Sequence, residues 1–347
     1  MYSPFLDNLL QSQSFLKKLL LIGPPLLDSK PGLEVRFYKD TGLENVIGEF
    51  NPDAVFLCGD LQFIKPYVVS LKKSSFKGKI VCYLEMSYYS INRDYLHMLN
   101  KDVHAIYVGA KFWKNSLLGQ GVLTSIDVVY LERQKLVKIN KVDARRSVGL
   151  SDDTFIFLSP LKNECRYRHD LIIMAFAKLI SKYPNRSMGL FCLSCSSGYY
   201  NNLDIFSAEL NKYNLGLEQH IGKLLFTRID EETNAIIYNC SDVGVYCAES
   251  EGGCNSAVDM LALGKPSILP ESNLAEELFQ DASLTLPIHH SGYSSYGAAY
   301  TVSVEDLFTA MEKYLLDSAL VEQHGLSGLT KIRDYVMSGS DLKNIII

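Results

Sequence analysis

The residues best suited to chemistry lie between Ser241 and Pro270. Two carboxylates, Glu251 and Asp259, flank the pair Gly252-Gly253. A carboxylate oxygen accepts hydrogen bonds from hydroxyl groups, so this pair suits a sugar or a ribose. Glycines lack a Cβ and let a ligand approach the backbone closely. Singly, each carboxylate also fits a structural role, Asp259 in the first turns of a helix, stabilised by its dipole, and Glu251 in a solvated turn. Together with the glycines they favour a site.

The surrounding residues say what must position them. Val243, Val245 and Tyr246 are strand formers, Glu249 to Gly253 has neither strand nor helix character, and Val258, Leu261 and Ala262 recur at helical spacing. Gly264-Lys265-Pro266 ends that helix, and Ser267-Ile268-Leu269 resumes an extended run. The order strand, turn, helix, strand places the backbone N–H groups of Gly253, Cys254, Asn255 and Ser256 at a helix start beyond the carboxyl edge of a sheet. Diphosphates bind there in α/β folds.

A second constellation runs from Lys162 through Arg166, Tyr167, Arg168 and His169 to Asp170. It falls between a strand over Thr154 to Leu158 and a helix over Asp170 to Tyr183, so it emerges at the same kind of edge. Lys162, Arg166 and Arg168 suit a diphosphate and the charge that develops as one departs; the competing reading is a solvated basic turn. His169 has no evident partner for proton transfer and reads as ordinary. In the first half Glu85 stands just past a strand over Lys79 to Leu84, where it could orient or deprotonate an acceptor hydroxyl, or be a loop carboxylate with no chemical role. Tyr88, Tyr89 and Trp113 offer either stacking faces for sugars or plain packing.

Other signals are excluded. Thr124 stands where a dinucleotide fingerprint begun at Gly119 and Gly121 would need its third glycine, and Gly264-Lys265 runs into Pro266 at a helix end, so it is no phosphate-binding loop. No Asp-x-Asp occurs, which removes the usual carboxylate anchor for a metal-bound nucleotide sugar. Cys192 and Cys195 have metal-like spacing but no second Cys or His pair, so no metal site is expected.

At 347 residues and 47% hydrophobic, the chain suits two cores. A net charge of −5 gives no basic footprint, which argues against a nucleic-acid partner. Eight irregularly spaced cysteines, mostly in apparent strands and site loops, read as reduced thiols of a cytoplasmic protein. Phe15 to Leu27 reads as an amphipathic helix running into a loop; its apolar run is too short to span a bilayer and leaves open only a loose peripheral membrane contact.

Strand and helix patterns alternate on both sides of a charged stretch, Glu132 to Leu150, which reads as a linker ending in a short helix over Val142 to Ser147. The expected architecture is α/β: two Rossmann-like domains, residues 1–140 and 141–347, facing across a cleft. Further expectations are a helix over Leu43 to Phe50, a polar loop from His290 to Tyr300 and a closing helix from Val304 to Leu316.

The segment from Tyr238 to Pro270 resembles the donor-binding signature of group 1, or family 4, retaining glycosyltransferases of the GT-B fold, and is similar to members from large DNA viruses. Tyr238, Asp242, Ser250-Glu251-Gly252, Gly264 and Pro266 stand as that family has them. Lys162 falls where the family has an Arg, and Tyr167 occupies the place of its phosphate-binding Lys, with Arg166 and Arg168 on either side. Asp259 replaces the second Glu and is one methylene shorter. The glycine loop that the family places after its first strand is missing. The resemblance implies a metal-independent transferase that needs no cofactor. Its substrates would be a nucleotide-diphosphate sugar and an acceptor hydroxyl on a glycan, lipid or protein, and its compartment the host cytoplasm if the chain is viral. Lys162 and one of the two arginines would hold the donor diphosphate, Glu251 would contact the donor sugar and Asp259 the ribose, and the backbone at Gly253 and Cys254 would approach the phosphates. The departures also keep open a degenerate module that binds a nucleotide sugar or a protein partner without chemistry. A nucleotide-sugar epimerase of similar architecture is a third reading, disfavoured by the Ser-Glu-Gly signature.

Overall fold

The computed structural model describes residues 18–22, 34–38, 47–48, 52–74, 76–86, 88–129, 137–193, 201–220, 223–226, 230–249, 254–271, 275–293 and 297–337. The chain divides into two compact units, the first built on Met1–Gln134 and the second on Lys135–Ser294 and Ala298–Tyr335, with two short later segments belonging to the first.

In the first unit β1 (Lys18–Ile22) pairs in parallel with β2 (Glu34–Tyr38). The run Lys18–Ile22 was expected to be helical. Leu19 to Ile22 is an unbroken apolar run too short for periodicity to tell strand from helix, and parallel pairing decides it as a strand. A four-stranded parallel sheet follows in sequential order: β3 (Ala54–Gly59), β4 (Lys79–Leu84), β5 (Ala105–Val108) and β6 (Ile126–Val128). The helices Leu61–Lys73, Arg93–Asp102 and Lys111–Gly119 connect these strands. Of the helix expected over Leu43 to Phe50, only Ile47 and Gly48 are described, and both are helical.

The second unit holds a six-stranded sheet in the order β12-β11-β10-β7-β8-β9, every pairing parallel. Its strands are β7 (Phe155–Ser159), β8 (Met188–Cys192), β9 (Leu224–Phe226), β10 (Val243–Val245), β11 (Ser267–Pro270) and β12 (Leu284–Leu286). Alternate residues of β7 serve opposite faces. Phe157 packs with Phe176 and Leu179 of the His169–Lys182 helix and Met311 of the Val304–Leu316 helix, whereas Ile156 and Leu158 pack with Ile237, Tyr238 and Met260. Helices on both faces explain why these strands read as continuous apolar runs.

Most helix starts are conventional. Asp60, Asn92, Asn140, Asn201, Asp230 and Ser303 each accept a hydrogen bond from an amide in the first turn that follows, which satisfies one of its orphan donors.

Two expectations change near the end of the chain. The expected polar loop from His290 to Tyr300 carries an antiparallel hairpin, β13 (His289–Tyr293) and β14 (Ala298–Thr301), with a register shift between His290 and Gly292. Its polar residues and its irregular register hide the strand alternation. The helix Val304–Leu316 does not close the fold, because Ser318–Met337 is a further helix. Its glycines weaken its helical signal, and they have a packing reason: a Cβ on Gly325 would lie 2.1 Å from Gly264 O, so only glycine allows this close approach. Among the described residues no helix is long and apolar enough to cross a membrane.

Candidate functional site

From β7 the chain runs outward through β8 to β9, returns to lay β10 beside β7 on the other side, and continues outward through β11 to β12. Strand order therefore reverses between β7 and β10. Such a switch point opens a crevice at the carboxyl ends of the strands, where α/β sheets bind ligands. Both candidate constellations leave the sheet there. Lys162, Arg166 and Arg168 follow β7, and Cys254, Asn255 and Asp259 follow β10. A backbone hydrogen bond joins the two loops, Glu249 N donating to Arg166 O at 2.7 Å.

The two helices that begin at this edge lack the side-chain caps found elsewhere. His169–Lys182 starts from Arg168 at φ 49°, and Asn255–Ala262 starts from Cys254 at φ 40°, both left-handed and neither making a side-chain cap bond. An L residue in that region carries strain, and such strain gathers at functional sites. A helix start without a cap presents backbone N–H groups and a positive dipole end to an anion.

Lys162 is exposed, its Nζ 4.0 Å from Glu164 Oε1. Arg166 is half-buried: Nη2 donates to Tyr167 OH at 2.8 Å, Nε lies 3.5 Å from Glu164 Oε2, and the guanidinium sits 4.6 Å from the centre of the Tyr167 ring. Arg168 is held differently. Its Nε and Nη2 form a fork on Asp170, at 3.0 Å to Oδ1 and 2.8 Å to Oδ2, and its Nη1 donates to Glu249 Oε1 at 3.2 Å and Thr301 Oγ1 at 3.0 Å. His169 is buried, with Nε2 3.2 Å from Leu161 O and 3.1 Å from Lys162 O. Burial pulls its pKa below the usual histidine value against the upward pull of those two carbonyls. A neutral ring with the proton on Nε2 fits both contacts and fixes the backbone from which Lys162 projects.

Asn255 opens its helix and is exposed, and Asp259 is half-buried on the second turn. Glu251, Gly252 and Gly253 lie outside the described residues.

No protein-family model matches the chain. No curated protein matches it either. Solved structures do. A sucrose-phosphate synthase from Thermosynechococcus elongatus superposes with a TM-score of 0.69 at 14% identity, covering 95% of this chain and 87% of that one. The apo structure of OtsA gives 0.66 at 12% identity, covering 98% and 93%. An E. coli structure described as trehalose-6-phosphate bound with UDP-2-fluoro glucose gives 0.63 at 12% identity, covering 99% and 97%. The chain has the GT-B fold. The likeness, at these identities, is one of fold.

Within the first unit of the GT-B chain, Glu85 is exposed one residue past β4, and its N–H donates to Gly59 O at 3.0 Å. Tyr88 helps line a small pocket with Asp60, Met86, Ile91 and Tyr95. Trp113 is core rather than a stacking face: it is 1% exposed, with Phe112 at 5.1 Å and Tyr89 at 6.1 Å between ring centres. Glu249 and Thr301 join the site although neither stands among the candidates named from the sequence. Glu249 shares the acidic turn with Glu251 and so carries a signal; Thr301, on a hairpin strand, carries none.

Proposed function

We propose that the chain is a glycosyltransferase that moves a sugar from a nucleotide-diphosphate sugar to an acceptor hydroxyl with retention, without a metal ion. The observation that carries this is the switch point between β7 and β10, where two helix starts without side-chain caps and the cations Lys162 and Arg166 meet on loops joined by the Glu249–Arg166 backbone bond. Support comes from two structural neighbours: one is bound with UDP-2-fluoro glucose, and the pneumococcal O-GlcNAc transferase GtfA is in complex with UDP and GlcNAc. GtfA has a TM-score of 0.62 at 10% identity, covering 84% of this chain and 56% of that one.

In this reading Lys162 and Arg166 hold the donor diphosphate, with the amides at Gly253, Cys254 and Asn255 approaching the phosphates and Gly252 leaving room. Glu251 contacts the sugar, and Asp259 the ribose. The bond from the anomeric carbon to the phosphate oxygen breaks, and its electron pair leaves on the diphosphate, where the cations and the helix start stabilise it. The acceptor oxygen bonds to the anomeric carbon on the same face. Its proton passes to a donor phosphate oxygen or to Glu85. The acceptor is a glycan, lipid or protein hydroxyl, and the reaction belongs in the cytoplasm, that of the host if the chain is viral.

Glu251→Ala and Lys162→Ala are each expected to abolish transfer while the melting temperature holds; near-normal turnover in either overturns the assignment. Tyr167, buried where the resembled family places lysine, favours a second reading, binding without chemistry. Slow release of nucleoside diphosphate from donor without acceptor supports the enzyme, and binding without release supports the module.

A further inference from the structure

We infer that Arg168 and Glu249 are positioning residues for the donor site, their ion pair fastening the root of the segment that carries Glu251. The inference rests on the function proposed above. It separates Arg168 from the other two cations, because its guanidinium is already committed on Nε, Nη1 and Nη2. Asp170 takes it side-on, in the two-point geometry that makes arginine–carboxylate pairs directional. Glu249 and Thr301 take Nη1. Two carboxylates around one guanidinium leave a local negative balance, which repels a phosphate.

Glu249 is held at three points. Its side chain meets Arg168, its N–H donates to Arg166 O at 2.7 Å, and its carbonyl accepts Tyr300 N–H at 3.2 Å. The clasp therefore ties together the loop after β7, the loop after β10 and the hairpin strand β14. The residue after Glu249 is Ser250, followed by Glu251, so the placement of Glu249 sets where the sugar-contacting carboxylate departs from the scaffold. Arg168 also opens the His169–Lys182 helix from a left-handed conformation. Glycine would occupy that conformation without strain, and the guanidinium contacts offset the strain that arginine accepts there.

That conformation supplies the test. Arg168→Gly suits the backbone while it removes the clasp together with the fork on Asp170, so it is expected to fold. Arg168→Gly and Glu249→Gln are each expected to lower kcat about a hundredfold, the scale of an ångström-level misplacement. The double variant should lose little more than either single one, because both break one interaction. The dissociation constant for a nucleoside diphosphate, probed with UDP, ADP and GDP, should stay within about threefold, since the clasp is felt in the transition state rather than in ground-state binding. Arg168→Lys, which keeps the charge but not the fork, should recover part of kcat. Amide exchange over residues 249–251 should quicken in both single variants. A loss of diphosphate affinity of about tenfold or more in Arg168→Gly but not in Glu249→Gln would identify a direct phosphate ligand and overturn the inference, as would additive losses or an unchanged kcat. If the wild-type chain neither binds a nucleoside diphosphate nor transfers a sugar, the proposed function fails. The exchange measurement then decides alone: faster exchange in both variants supports the clasp, and unchanged exchange overturns it.

Discussion

Arg145 places Nη2 2.7 Å from Asp242 Oδ2, and both side chains are buried. The same Oδ2 accepts Ile156 N–H at 2.7 Å, Lys141 pairs with the other oxygen, and Arg145 Nε donates to Cys240 O at 3.1 Å. Asp242 immediately precedes β10, so this knot binds the amino-terminal edge of the sheet, opposite the edge where the candidate loops emerge. Asp242 belongs to the resembled donor signature, yet its contacts are those of a staple between strand and helix ends.

Removing one partner of a buried ion pair leaves the other uncompensated, at a cost of about 3–5 kcal/mol. Asp242→Ala is expected to lower unfolding free energy by that order in urea titrations. Arg145→Met should cost less, because Lys141 and the Ile156 amide still partner the carboxylate. Nucleoside-diphosphate affinity of the folded fraction should be unchanged in both. A lost affinity with intact stability would move Asp242 into the site.

Lys265 gives a pH dependence. Its Nζ donates to Tyr238 O at 2.7 Å and Asn239 O at 2.5 Å, and also to Ser241 O, so it caps the carboxyl end of the Glu231–Cys240 helix. Burial pulls its pKa down from 10.5 to about 7, with Asp242 opposing. Between those two values the unfolded chain holds a proton that the folded chain has released, so this group makes stability rise with pH from about 7 to about 10.5. Urea unfolding at pH 7, 8 and 9 should show a positive slope, of up to about 1.4 kcal/mol per pH unit, that Lys265→Met removes. Equal slopes in the two proteins would mean that the ammonium stays protonated among its carbonyls.

The parallel strands were legible because both their faces are buried, which leaves unbroken apolar runs such as Phe155 to Leu158. The loop that carries Lys162 and the stretch between β10 and the helix that bears Asp259 were legible for the same reason, since they are what remains between a strand and a helix. Strand adjacency was not. Nothing local to β7 or β10 says that they are neighbours, so the switch point emerged only with the sheet order. The clasp was hidden by distance along the chain, Arg168 reaching a partner 81 residues away in Glu249 and another 133 away in Thr301. The left-handed starts at Arg168 and Cys254 were hidden by residue type, since neither is the glycine that usually marks such a backbone. Lys265 reads in the sequence only as a failed phosphate-loop lysine, because its acceptors are backbone carbonyls, which no residue type announces.

The proposed diphosphate site supplies the last prediction. Lys162 and Arg166 stand on the loop after β7 beside the start of a helix dipole, so positive charge is already present where a metal ion would otherwise neutralise phosphates. Binding of a nucleoside diphosphate should therefore persist in EDTA. At a hundred times its dissociation constant the ligand should add about 2.7 kcal/mol to folded-state stability, read as a rise in melting temperature that the chelator leaves in place. Each charged hydrogen bond removed costs about 1.5–3 kcal/mol, so Lys162→Ala and Arg166→Ala should each weaken binding by about tenfold to a hundredfold. Arg166 should show the smaller loss, because Glu164 and Tyr167 already engage its guanidinium. A thermal shift that disappears in EDTA and returns with magnesium or manganese would replace this cationic site with a metal-bridged one.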